Sequence, residues 1–188
     1  MSGGVQPRGR GQGMWTAALI KKYHDGTKAY IEDNFVKTKV KVDCADLALS
    51  YLVDFAHENS LPITIKYYAS KKWQKYQIKA KQKDIANAKS YVNINFGALN
   101  VIDNTKPIAV SEAKPGDLIM SKWAGGGGHT RVIIEIKTGK TDGDASVTFY
   151  QGNLPAAIPI KKTETLKDID FGEVTDKRPR RWRFEAFT

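Results

Sequence analysis

Val42-Asp43-Cys44-Ala45-Asp46-Leu47-Ala48-Leu49-Ser50-Tyr51-Leu52-Val53 opens the most apolar helical run of the chain and holds its only cysteine. Ala45, Ala48, Leu49, Leu52, Val53 and Ala56 recur at three- and four-residue spacing. Leu47, Tyr51 and Phe55 widen that face until little of the helix is left for water. The run predicts a central, buried helix. Asp43 is a good N-cap residue and places Cys44 at the first helical position. There the macrodipole and the unpaired backbone N–H groups favour thiolate over thiol. Free cysteine is also among the most buried residue types. What sets Cys44 apart must therefore come from a partner elsewhere in the chain.

That partner lies downstream. Lys114-Pro115-Gly116-Asp117-Leu118-Ile119-Met120 reads as a strand, and Gly125-Gly126-Gly127-Gly128 as a flexible loop. His129-Thr130-Arg131-Val132-Ile133-Ile134-Glu135-Ile136 reads as a second strand with a histidine at its entrance. The glycines let the backbone approach a substrate and leave His129 accessible. Trp123 and Gly128, near the two ends of this loop, are the candidate substrate-binding positions. A third strand, Ser146-Val147-Thr148-Phe149-Tyr150-Gln151-Gly152-Asn153, ends in amides able to orient an imidazole.

A cysteine opening a buried helix, then a Pro-Gly-Asp-Leu-Ile strand, then Gly-His at a strand start resembles the papain-like NlpC-type and CHAP cysteine peptidases. The resemblance covers residues 42–56 and 114–153. It implies an α+β, papain-like fold in which the cysteine helix packs on a mostly antiparallel sheet. It also implies Cys44 as nucleophile, His129 as base and Gln151 as the residue orienting the base. Asn153 takes the second polar position. Either amide can hold the third role, and Asp46 is close enough to Cys44 to be a supporting candidate. Gln151 stands where CHAP sequences commonly carry a carboxylate, so it orients an imidazolium but stabilises it less. The interval from Cys44 to His129 is longer than compact members need, which places an insertion at about 62–110.

The substrate implied by the resemblance is an amide bond of bacterial peptidoglycan. A net charge of +10 suits an anionic wall. The same resemblance suggests an antibacterial effector, made in the cytoplasm without a signal peptide and exported by a dedicated machine such as type VI secretion. It would act in the target cell's periplasm and be matched by a cognate immunity protein. Two other classes stay open: a papain-like toxin acting on proteins as protease, deamidase or transglutaminase, and a basic module binding nucleic acid without catalysis.

The remaining sequence sets bounds. Its length suits one catalytic domain over 14–188, preceded by a glycine- and arginine-containing arm over 1–13 that is expected to be disordered. No apolar run approaches the ~20 residues of a membrane span, so a soluble protein is expected. One cysteine rules out an internal disulfide or a multi-cysteine zinc site, and the 3 histidines lack paired ligand spacing, so neither metal nor cofactor is expected. The glycine run lacks the lysine and Ser/Thr of a phosphate loop.

Met14, Trp15, Ala18, Leu19 and Tyr23 predict a short amphipathic helix broken at Asp25-Gly26, with His24 capping it or facing solvent. Residues 29–42 alternate toward a strand in their second half. Asp54 reads as an ordinary polar position on the helix margin, and His57 as a favourable cation near the helix end. Residues 63–68 read as a strand. Residues 71–83 interleave lysines with Trp73, Tyr76 and Ile78, as a solvated helix or hairpin or as a surface for nucleic acid or sugar. Residues 84–96 look helical, 163–169 look like a brief helix or turn, and the arginine-rich 178–184 reads as an edge strand.

Overall fold

The computed structural model describes residues 13–79 and 83–187. The expected arm at 1–13 therefore lies, apart from Gly13, outside the described residues. The fold is α+β, and it is built around the helix α2 (Cys44–Glu58). Asp43 caps it as the sequence predicts, its carboxylate accepting the Asp46 N–H at 2.7 Å. Within α2 only Asp46, Asp54, His57 and Glu58 escape burial. Leu47, Leu52 and Val53 are sealed from solvent, each contributing roughly 1.5–3 kcal/mol.

Helix α2 packs on a six-stranded sheet made of β3 (Thr105–Pro107), β4 (Leu118–Lys122), β5 (Gly128–Lys137), β6 (Ser146–Gln151), β7 (Ile160–Thr165) and β8 (Arg180–Trp182). Its order is β3-β8-β4-β5-β6-β7, and its ladders are antiparallel. Strand alternation divides the core. Leu118, Met120, Val132, Ile134 and Tyr150 face the helices. Ile119, Ile133, Val147 and Phe149 face a second cluster closed by Val110, Leu166, Ile169 and Phe171.

The segment 62–110 holds a hairpin of β1 (Ile63–Ala69) and β2 (Lys72–Ile78), then α3 (Ile85–Asn95), α4 (Ala98–Asp103) and β3. For residues 71–79 the hairpin alternative is the one adopted, and Asp84 caps α3.

Several local expectations are overturned, each by tertiary packing. The first helix, α1 (Ala17–Ile31), runs through Asp25-Gly26 and continues as a π-helical turn over Glu32–Val36. Glycine is what lets α1 approach α2 here. A Cβ at position 26 would lie 2.9 Å from the Tyr51 hydroxyl, which donates to the Tyr23 carbonyl at 2.5 Å. This packing outweighs the ~1 kcal/mol cost of a helical glycine. His24 is buried rather than capping or solvent-facing, and its Nδ1 pairs with the Pro115 carbonyl at 2.7 Å. The strand expected late in 29–42 is instead the end of this helical region, and only Val42 makes a bridge, to Ala157. The brief helix or turn expected in 163–169 is present as a 3-10 turn at Leu166–Asp168, with β7 extending to Thr165 before it.

The arginine-rich segment is not at an edge, because β8 lies between β3 and β4. The reason is the Pro115-Gly116-Asp117 turn. Gly116 adopts φ +88°, and a Cβ there would meet Thr27 at 2.5 Å and Tyr23 at 2.8 Å. This seats Asp117 in the interior at 1% exposure. There it receives Arg181 through two bonds, Nε to Oδ1 at 2.8 Å and Nη2 to Oδ2 at 2.7 Å. Arg181→Ala is expected to strand this carboxylate and lower unfolding free energy by about 3–5 kcal/mol, read as a lowered urea midpoint. A loss below about 1 kcal/mol would mean the pair behaves like a surface contact.

Candidate active site

The start of α2 reaches the sheet where β6 ends. Val42 exchanges backbone hydrogen bonds with Ala157, at 3.0 and 3.3 Å, and its carbonyl also accepts the Asn153 N–H at 3.3 Å. The crossing is tight: a Cβ at Gly152 would lie 2.3 Å from the Asp43 carbonyl oxygen and 2.5 Å from that of Val42. The absent side chain lets residues 42–43 lie directly on the strand end. Cys44 is thereby delivered beside β5 and β6.

A cavity of about 710 Å³ opens at this junction. Asp43, Cys44 and Ala45 line it from α2, Gly128 and His129 from the entrance of β5, and Gln151, Asn153 and Leu154 from the end of β6. Trp123 and Gly127 contribute from the β4–β5 loop. The structure thus brings Cys44, His129, Gln151, Asn153, Trp123 and Gly128 to one place. Asp46 does not line the cavity. It sits half-buried in the first turn, one carboxylate oxygen lacks a partner, and burial together with the charge of Asp43 pushes its carboxyl up to about 7.

One further wall is not indicated by the sequence reading. Gly97, Ala98, Leu99 and Asn100, at the start of α4, face the cavity. The Asn100 side chain accepts the Gly97 N–H at 3.2 Å and fixes that start. Gly128 has a structural duty as well, since a Cβ there would lie 2.4 Å from the Ser121 carbonyl oxygen and 3.3 Å from Ala98. The sequence signals for this wall were Gly97 preceding an apolar run and the Asn at its third helical position. His24 and His57 stand outside the cavity, and Asp54 is engaged by Tyr30 and by Lys89 at 2.5 Å.

The electrostatics correct one expectation. Burial pushes the Cys44 thiol up. A backbone hydrogen bond from Thr130 and the N–H groups of Ala45 and Cys44 itself pull it down, while Asp43 adds to the rise. The helix start does act on the sulfur, but desolvation wins, so the resting group is a thiol rather than the anticipated thiolate. His129 moves the other way: burial lowers its pKa, the Arg131 guanidinium lowers it further, and a hydrogen bond with Gln151 raises it. At neutral pH the site therefore holds a thiol and a neutral imidazole. Such an imidazole is ready to accept a proton.

Among the described residues no cluster of three or more His, Cys, Asp or Glu side chains could hold a metal ion. No helix among them is long and apolar enough to cross a membrane. Compared with protein-family models, with curated proteins and with solved structures, the chain matches none.

The signs of the two shifts give a pH signature. A raised thiol pKa makes alkylation by iodoacetamide slow at neutral pH and still climbing beyond the titration of free cysteine. A rate plateau already reached in mildly acidic buffer would reveal a preformed thiolate–imidazolium pair and overturn this assignment. Gly152→Ala is expected to cost about 1–3 kcal/mol, as overpacking does, and to change the alkylation rate of Cys44. An unaltered midpoint and rate would show that the crossing relaxes freely.

Proposed function

We propose that the protein is a papain-like cysteine hydrolase that cleaves amide bonds, with bacterial peptidoglycan as its substrate. The observation that supports this best is the convergence of Cys44, at the start of a buried helix, with the His129–Gln151 pair at the ends of two neighbouring strands on one open cavity.

The chemistry follows from the charge states. A carbonyl carbon enters above the sulfur while its oxygen takes over the N–H groups of Cys44 and Ala45, which bond no helix carbonyl and at rest are directed at the sulfur. His129, neutral at rest, takes the thiol proton as the sulfur attacks. Proton transfer and attack are coupled, since no thiolate is stored beforehand. The tetrahedral intermediate collapses when His129 gives that proton to the leaving amine. Water, deprotonated by the same imidazole, then releases the acyl group and regenerates the thiol. Gln151 holds the imidazole in orientation without adding negative charge. This keeps the base neutral to lower pH than a carboxylate partner would.

Peptidoglycan is favoured as substrate by the positive charge of the chain, which concentrates a basic protein on an anionic wall. Export by a dedicated machine and a cognate immunity protein belong to this same reading.

The deciding experiment is product analysis of purified peptidoglycan treated with wild type, Cys44→Ala and His129→Ala, each checked for folding. New muropeptides are expected from wild type, none from Cys44→Ala, and their formation by His129→Ala slower by about 10²–10⁴-fold. An intact wall in the presence of an alkylatable Cys44 would redirect the chemistry to proteins. Salt-sensitive nucleic-acid binding indifferent to Cys44→Ala, with an inert thiol, would replace catalysis by a binding module.

A further inference from the structure

The β1–β2 hairpin has two unlike faces. Ile63, Ile65 and Ile78 are buried on one, where Tyr67 and Tyr76 lie against Phe96 at ring distances of 5.1 and 5.9 Å. Strand register places Lys66 opposite Lys75 and Tyr68 opposite Trp73 on the other. Tyr68 and Trp73 are each 59% exposed, and they meet edge to face with ring centroids 5.6 Å apart. Lys66 and Lys75 are exposed beside them, and Lys71 and Lys72 are exposed at the turn. None of these four lysines forms an ion pair among the described residues. One small area of the hairpin thus combines two exposed rings, in contact with one another, with unneutralised cations.

The hairpin is also tied to the cavity. Asn104 clamps β1 through both backbone groups of Lys66, accepting its N–H at 2.8 Å and donating to its carbonyl at 2.8 Å. Asn104 ends α4, whose opposite end walls the site. One short helix, about 9 Å long at 1.5 Å per residue, therefore connects the ring-bearing hairpin to the reaction chamber.

We propose that this outer face is a docking surface for an anionic glycan strand, held apart from the bond that is cleaved. Pyranose faces stack on Tyr68 and Trp73, and the carboxylates or phosphates carried by the strand meet Lys66 and Lys75. Single-stranded nucleic acid fits less well: it is held by a cationic groove that tracks its backbone, with rings for successive bases, whereas here one ring pair sits near the tip of a ribbon. The choice of a wall glycan rests on the hydrolase reading above; the binding surface itself does not.

The test separates the two. The Cys44→Ala chain is sedimented with intact purified sacculi, with and without the pair Tyr68→Ala and Trp73→Ala or the pair Lys66→Glu and Lys75→Glu. Either pair is expected to weaken sedimentation about tenfold and to leave thermal unfolding unchanged. In the otherwise wild-type chain, either pair should slow cleavage of sacculi while small soluble muropeptides are cleaved at the original rate. Undiminished sedimentation by both variants overturns the proposal. So does retention of an oligo-dT strand by the hairpin with no retention of sacculi. Hairpin-dependent sedimentation by a protein that cleaves no wall leaves the docking surface standing and removes peptidoglycan as the substrate of the cavity. Wall cleavage insensitive to both variants does the reverse.

Discussion

The candidate site depends on one steric allowance, the missing side chain at Gly152. Residues 42–43 lie against the end of β6 closer than any Cβ permits, and the two Val42–Ala157 hydrogen bonds hold them there. Because Asp43 caps α2 from this same spot, the helix axis, the position of Cys44 and the ends of β5 and β6 are set by a single contact. Everything chemical in the cavity is built outward from it. A long apolar helix alone would bury Cys44 as a small hydrophobe; fastened here, its first residue lines the cavity that His129 also lines.

The same crossing explains the balance of charge. Packing the helix start onto two strands brings Thr130, Ala45 and Cys44 N–H groups to the sulfur, and it also strips away water. The second effect is larger. Arg131, two residues beyond His129 on the same strand face and buried over the Phe149 ring, acts on the imidazole with a like charge. Both groups are consequently held neutral.

Much of this was legible in the sequence where the signal is local. The period of α2, its Asp43 cap, and the strands leading to His129 and Gln151 each carry their own pattern, and the positions those patterns single out line one cavity. What was not legible depends on partners far away in the chain. Gly26 looks like a helix breaker until Tyr51 is opposite it, and His24 looks like a surface histidine until Pro115 arrives. The arginines of 178–184 look like protection for an edge until Asp117 is buried to receive one of them. The ionisation of Cys44 failed to read for a related reason. A helix start is visible in sequence, whereas the desolvation that opposes it is a property of the assembled interior. The α4 wall was missed because its six residues are too few to show a period.

The placement of β8 bears on how the protein comes into being. Arg180 donates to Thr105 and to the Ile102 carbonyl, the Arg183 N–H to the Asn104 carbonyl, and β3 joins the sheet through β8. The helix that walls the cavity is thus fastened by residues almost eighty positions further along. Contacts so distant in sequence form late, because loop closure must be met before they give any return. On a ribosome, a chain synthesised as far as His129 and Gln151 already carries every reactive group, yet lacks the strand that holds their chamber in shape. Completion of the sheet and shaping of the cavity are then coupled, and the partly made protein has the residues that line the cavity without all of its walls.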